Sequence, residues 1–343
     1  MRNLTATISF AAVLLLGSMG MSWSQDFQKG LTAAKSGDFS TALWEWTPLA
    51  KQGYSDAQYN LGVMYENGQG VLKNYETAVK WYRLAAEQGV VDAQFNLGNA
   101  YRHGLGVPQN DKTAVKWYRL AAEQGNATVQ YILGQIYRQG KGVRQDYETA
   151  VKWYTLAAEQ GGGNAQGNLG VMYSAGQGVP ANNKTAVKLF KLAAEQRYAH
   201  SQYNLGVMYS KGQGVPQDYK TAAKWYTLAA EQGDASAQYN LGVMCENGQG
   251  IPQDYKTAVK WYTLAAKQGY ADAQTNLGVM YGTGRGVMQN FVYAHMWGNL
   301  GASNGSENGS KLREIAAKKI TASQLETAQQ LARECARKKY KGC

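Results

Sequence analysis

Three histidines, His103, His200 and His295, are the side chains that could hold a metal or move a proton near neutral pH. None has a second ligand three or four residues away, as a zinc site on a helix would require. The signatures G-x-S-x-G, H-E-x-x-H and C-x-x-C are absent. Gly68-Gln69-Gly70 and its equivalents look like phosphate loops, but each follows a helical pattern rather than a strand and lacks a third glycine. The sequence therefore assigns no catalytic residue, no metal ligand and no cofactor.

The most regularly spaced polar residues are asparagines. Asn60, Asn96, Asn168, Asn204, Asn240 and Asn276 each precede a Leu-Gly pair, with Ile132 the one exception. A carboxamide donates and accepts, so it can bond the backbone of an extended peptide in bidentate fashion. These six are the candidate peptide-binding residues; the alternative is that each bonds the neighbouring unit. Met64, Met172, Met208, Met244 and Met280 are adaptable apolar contacts that suit a groove or a core equally. Tyr59, Phe95, Tyr131, Tyr203 and Tyr239 would suit a carbohydrate. A lysine stripe from Lys80 to Lys260 and a glutamate stripe from Glu87 to Glu231 largely cancel and read as a solvated face.

What positions these residues is a repeat. Leu-Gly pairs from Leu61-Gly62 to Leu277-Gly278 are 36 residues apart without insertion. Trp keeps the same beat at Trp81, Trp117, Trp153, Trp225, Trp261 and Trp297, with Leu189 replacing it once. A strict period of this length predicts a solenoid whose units pack on their neighbours. Within a unit, Ala57, Leu61, Gly62 and Tyr65 share one face of a helix around Asp56 to Glu66. A glycine turn follows. A second helix, roughly Asn74 to Gln88, carries Ala78, Trp81, Tyr82, Ala85 and Ala86 at helical spacing. Two antiparallel helices fill the unit and leave no room for strands. Gly62, mid-helix, costs about 1 kcal/mol relative to alanine, tolerable only where another helix approaches closely. The Ala85-Ala86 pair and its equivalents are the expected partners.

The pattern A-x-x-x-L-G-x-x-Y-x-x-G-x-G-V, then Y-x-x-A-x-x-W-Y-x-x-A-A-x-x-G, resembles the Sel1-like repeat, a relative of the tetratricopeptide repeat, over about residues 27–304. The resemblance implies an all-α, right-handed α-solenoid of about eight two-helix, 36-residue units. Some Sel1-like proteins carry a cysteine pair in each repeat and are linked to β-lactam binding or hydrolysis; that pattern is absent here.

The expected organisation is a signal peptide over 1–24, a degenerate capping repeat over 25–53, seven units over 54–304, and a polar connector with a basic capping helix over 305–343. The signal rests on Arg2, the apolar run Ile8 to Leu16 and the small residues Ser22 and Ser24. No cysteine follows that run, so no lipid anchor is indicated. Residues 311–343 hold nine Lys/Arg against three Asp/Glu, while the remaining mature body is only +4. Thr321 with Gln324 makes a capping box for the last helix. Cys335 and Cys343, eight residues apart in an exported chain, are the expected disulfide, with a pairing to Cys245 as the rival.

The expected function is an exported, periplasmic or secreted, monomeric scaffold that holds a protein or peptide along a concave face. No nucleic acid partner is expected; the basic tail can contact anionic envelope surfaces. The alternatives are an envelope polysaccharide or peptidoglycan binder and a β-lactam-processing enzyme.

Overall fold

The computed structural model describes residues 24–343, so the expected signal segment lies outside the described residues except for Ser24. Among the described residues the chain is all helix and turn. It forms two compact units, one ending at Gln160 and the other beginning at Gly161.

The first unit opens with α1 (residues 24–35) and α2 (Phe39–Lys51), followed by three helix pairs. These are α3 (Ser55–Asn67) with α4 (Tyr75–Glu87), α5 (Val91–His103) with α6 (Asp111–Glu123), and α7 (Ala127–Gln139) with α8 (Tyr147–Glu159). The second unit holds α9 (Gly163–Ala175) with α10 (Asn183–Glu195), α11 (Ala199–Lys211) with α12 (Tyr219–Glu231), and α13 (Ala235–Asn247) with α14 (Tyr255–Ala266). It ends with α15 (Ala271–Thr283), α16 (Phe291–Ser303), α17 (Glu307–Ala317) and α18 (Ala322–Arg337).

Local chemistry sets the helix ends. Each second helix starts at an Asn or Asp whose side chain accepts from the backbone three residues on, as Asn74 does from Thr77 N at 2.9 Å. Such a cap stabilises by about 1 kcal/mol. The first helices stop at a left-handed glycine: Gly68 has φ +72° and its N–H bonds the Met64 carbonyl. The second glycine of the turn serves packing. A Cβ on Gly106 would lie 2.4 Å from the Tyr75 carbonyl, on the start of the previous second helix. The repeated Gly-x-Gly is thus a joint between units.

The mid-helix glycine has a different partner from the one expected. A Cβ on Gly62 would lie 2.5 Å from the Tyr82 ring, and Gly98, Gly134, Gly206 and Gly242 face Tyr118, Tyr154, Tyr226 and Tyr262 in the same way. The glycine makes room for an aromatic face, not for Ala85-Ala86, because a buried tyrosine of the same unit already fills that space. The alanine pair is buried elsewhere in the core. The methionines Met64, Met172, Met208, Met244 and Met280 are all buried and belong to that core, not to a groove. Gly30 against Trp46 repeats the glycine–aromatic pairing in α1 and α2, where Trp46 Nε1 also donates to the Phe27 carbonyl. The opening hairpin is therefore built like a repeat with a shortened turn.

At the other end the stretch expected as a connector contains a helix, α17. The last pair has Gly298 where its predecessors have Tyr or Phe, and Gly301 where they have Ala. A Cβ on Gly309 would lie 2.5 Å from Ala302 N, so the backbones of α16 and α17 meet at these glycines. Glycine content marks close helix packing here instead of a loose link. Thr321 and Gln324 form a reciprocal capping box at the start of α18, and Ala328, Ala332 and Cys335 are its buried residues. Cys335 and Cys343 are joined in the structure with Cα atoms 5.5 Å apart, and Cys245 is a buried free thiol. The Tyr340 hydroxyl donates to Asn304 Oδ1 at 2.9 Å, holding the terminus against the end of α16.

His295 stands where the other units have valine or, once, alanine, and is 3% exposed with its Nδ1 unpartnered. Burial, helped by Arg313, lowers its pKa from the ordinary 6.5. The unfolded chain therefore takes up a proton that the folded chain refuses, and stability falls as pH drops below about 6.5. His295→Val is expected to raise the melting temperature more at pH 5 than at pH 7.5. An equal gain at both pH values would show that His295 does not titrate on unfolding.

Candidate interaction face on the first helices

The six candidate asparagines are all half-buried. Asn96 lies near the Tyr59 and Tyr82 hydroxyls of the preceding unit, and Asn276 near those of Tyr239 and Tyr262 in the same register. Asn240 lies near the Tyr203 hydroxyl and donates to the Ser236 carbonyl at 2.8 Å. Asn168 donates to the Asn164 carbonyl at 2.9 Å. Asn60 lines a cleft with Leu31, Lys35, Phe39, Trp46 and Gln69. Asn204 is the outlier. Its Nδ2 is buried without a partner, because the unit before it has Gly167 and Phe190 where the repeat supplies two tyrosines.

The rings Tyr59, Phe95, Tyr131, Tyr203 and Tyr239 are half-buried, each tilted against a second-helix tyrosine with centroids about 6 Å apart. Burial pushes the second-helix phenols up, to about 12 for Tyr154 and Tyr226. Tyr82 and Tyr262 go higher because Glu66 and Glu246 accept from their hydroxyls. These phenols are neutral donors at any physiological pH.

A second polar ladder escaped the sequence reading. Gln58, Gln94, Gln130, Gln202, Gln238 and Gln274 are each at most 4% exposed. Each donates from Nε2 to the alanine carbonyl eight residues earlier, for example Gln202 to Ala194 at 3.0 Å. Its Oε1 accepts from an amide thirty residues later, as Gln202 does from Gln232 at 2.7 Å, with Asn304 taking that role for Gln274. The signal was available, since a glutamine precedes every Leu-Gly pair by three residues.

What varies along the face is more informative. Units 91–126 and 127–162 put Asn99 and Gln135 where the other five have valine. They put Arg102 and Arg138 where the others have Glu, Ser or Gly. Tyr118 hydroxyl donates to Asn99 Oδ1 at 2.7 Å and lies within reach of Arg102. Arg83 and Arg119, on the second helices, donate to the Tyr101 and Tyr137 hydroxyls at 2.7 Å. Arg138 lies beside Tyr154, and its Nε is buried without a partner. The result is a short row on two successive first helices, Arg102 and Arg138 beside Tyr118 and Tyr154, while Arg83 and Arg119 are exposed on second helices of units 55–90 and 91–126. None of the ion pairs found among the described residues involves these four arginines.

His103 ends α5 exposed, His200 lies on α11 and His295 is buried in α16. Among the described residues no three His, Cys, Asp or Glu gather as a metal site, and no helix is long and apolar enough to cross a membrane. Lys338, Lys339 and Lys341 are exposed at the terminus, the first just beyond α18.

The Sel1 repeat family model matches seven consecutive segments, residues 55–90, 91–126, 127–162, 163–198, 199–234, 235–270 and 271–306. The structure is similar to that of a Sel1 repeat protein from Oxalobacter formigenes, at 34% identity over 84% of this chain and 90% of that one, with a TM-score of 0.67. It is also similar to a protective antigen present in uropathogenic Escherichia coli strains that displays the same fold, at 29% identity over 94% and 86% of the two chains, with a TM-score of 0.55. A search of curated proteins returned no match. The chain belongs to the Sel1 repeat family, whose solenoid is a general protein–protein interaction scaffold and as a rule not an enzyme.

Proposed function

We propose that this protein is an exported scaffold that binds a protein or peptide partner on the first-helix face, centred on units 91–126 and 127–162. The observation that carries the reading is the departure of those two units from the repeat. Asn99, Gln135, Arg102 and Arg138 replace residues that satisfy the fold in sister units. Asn99 accepts from the Tyr118 hydroxyl as Glu66 and Glu246 do from Tyr82 and Tyr262, but packing does not demand arginine at 102 and 138, and a partner accounts for the two arginines. Export rests on the character of residues 1–24 and places the protein in the periplasm or outside the cell.

A photo-crosslinking amino acid at Phe95, half-buried on α5, tests this against the same probe at Leu120, exposed on α6. In an envelope extract, a discrete adduct is expected from position 95 and not from position 120. Adducts from position 120 alone, or from neither, would remove the reading.

A further inference from the structure

The chemistry of the arginine row on the first helices selects its partner. We infer that Arg102 and Arg138, at the same position of two successive units, receive an extended, acidic segment of the partner protein, with one carboxylate directed at each arginine. This rests on the scaffold reading above and adds the chemical class of what is bound.

Charge is concentrated here. Residues 83–144 hold eight Lys/Arg against four Asp/Glu, a net +4 that equals the net charge of the whole body between the expected signal and the basic tail. A planar guanidinium matches a carboxylate through two parallel hydrogen bonds, and neither Arg102 nor Arg138 has a carboxylate partner of its own among the ion pairs found. At Arg138 a buried Nε lacks an acceptor, a cost that an incoming carboxylate would relieve.

The row also argues for a slender ligand. Arg102 and Arg138 are half-buried, and Asn99 and Gln135 occupy the preceding turn of the same helices. A side-chain carboxylate on an extended strand can enter between helices where a bilayer surface cannot. The row is short: Glu66 occupies the Arg102 position one unit earlier, which disfavours a long polyanion.

The test uses fluorescein-labelled nine-residue peptides with Glu at every second, third or fourth position, each paired with a Gln control. Binding to the full mature chain is followed by anisotropy at two salt concentrations. The variant Arg102→Ser, Arg138→Ser carries the residue found at Ser174 and Ser210 in sister units, so its fold is provided for. Arg83→Thr, Arg119→Thr copies Thr155 and Thr227 and serves as the off-face control. At least one Glu peptide is expected to bind ten-fold more tightly than its Gln control, to lose ten-fold or more in Arg102→Ser, Arg138→Ser, and to keep its affinity in the control; an equal loss in both variants overturns the inference. Equal binding of Glu and Gln peptides, or no binding of any Glu peptide, overturns the inference. So does a preference for oligothymidylate or phosphatidylglycerol vesicles used as competitors. An adduct at position 95 whose crosslinked segment is uncharged would leave the scaffold reading standing and remove this one alone.

Discussion

Gln202→Leu is expected to destabilise the protein by up to about 2 kcal/mol, although leucine has a similar volume and enters an apolar setting. The reason lies in what the substitution strands. Gln202 is 2% exposed, donates to the Ala194 carbonyl at 3.0 Å and accepts from Gln232 Nε2 at 2.7 Å. Removing it takes one donor from the Ala194 carbonyl, which keeps the Arg197 N–H at 2.9 Å, and strips the Gln232 amide of a partner, so that two hydrogen bonds are lost at a combined cost of roughly 1–3 kcal/mol. The apolar surface gained offsets on the order of 1 kcal/mol. Gln232→Leu provides the contrast. That residue is exposed and keeps a solvent route for its neighbour's oxygen, so its loss costs about 1 kcal/mol or less. Urea titrations of the two variants check the ratio. Because repeat arrays can unfold piecewise, hydrogen exchange of α11 and α12 accompanies them, and faster exchange is expected there first. If the two variants cost the same, the ladder is not held by its buried bonds.

The same comparison explains which parts of the molecule the sequence discloses. A residue that recurs every 36 positions answers a packing question that every unit poses. Helix ends, capping side chains and turn glycines could therefore be read directly, because each depends on a few adjacent residues. Gly62 was legible as a close approach, but its partner was not: Tyr82 and Ala85 lie on the same helix, and spacing alone cannot say which of them faces the glycine. Met64 was equally ambiguous, since a period marks a face without saying whether solvent or another helix covers it. The stretch around Gly298, Gly301 and Gly309 looked like a linker because glycine both loosens a chain and permits backbone contact. Burial decides between the two. The candidate site was hidden by the opposite effect. Asn96 and Asn276 attracted notice by recurring, and each lies near two tyrosine hydroxyls of the preceding unit. Arg102, Arg138, Asn99 and Gln135 stand out only as exceptions to the repeat. Regularity reports the scaffold, and departures from it report selective pressure of another kind.

Gly206→Ala carries the second large effect, and its sign is the informative part. On an exposed helix the change would stabilise by about 1 kcal/mol. Here the new Cβ would lie 2.6 Å from Cδ1 of the Tyr226 ring, inside the distance real atoms adopt. The ring has little freedom to retreat. It packs against Tyr203 at a centroid distance of 5.9 Å, and its hydroxyl is 3.2 Å from Ser210 Oγ. Tyr226 is 2% exposed, so moving it disturbs a filled core. Overpacking of this kind costs typically 1–3 kcal/mol, and with the helix preference of about 1 kcal/mol subtracted a net loss of up to about 2 kcal/mol is expected. In a Tyr226→Leu background the obstacle is gone, and the same Gly206→Ala change should turn neutral or stabilising. The interaction energy from the four-member cycle is then about 2 kcal/mol, well above the few tenths found for independent sites. Thermal or urea unfolding of wild type, both single variants and the double variant measures it. Additive effects would mean that the glycine is kept for a reason other than the tyrosine face, and that the second helix could be seated on the first without it.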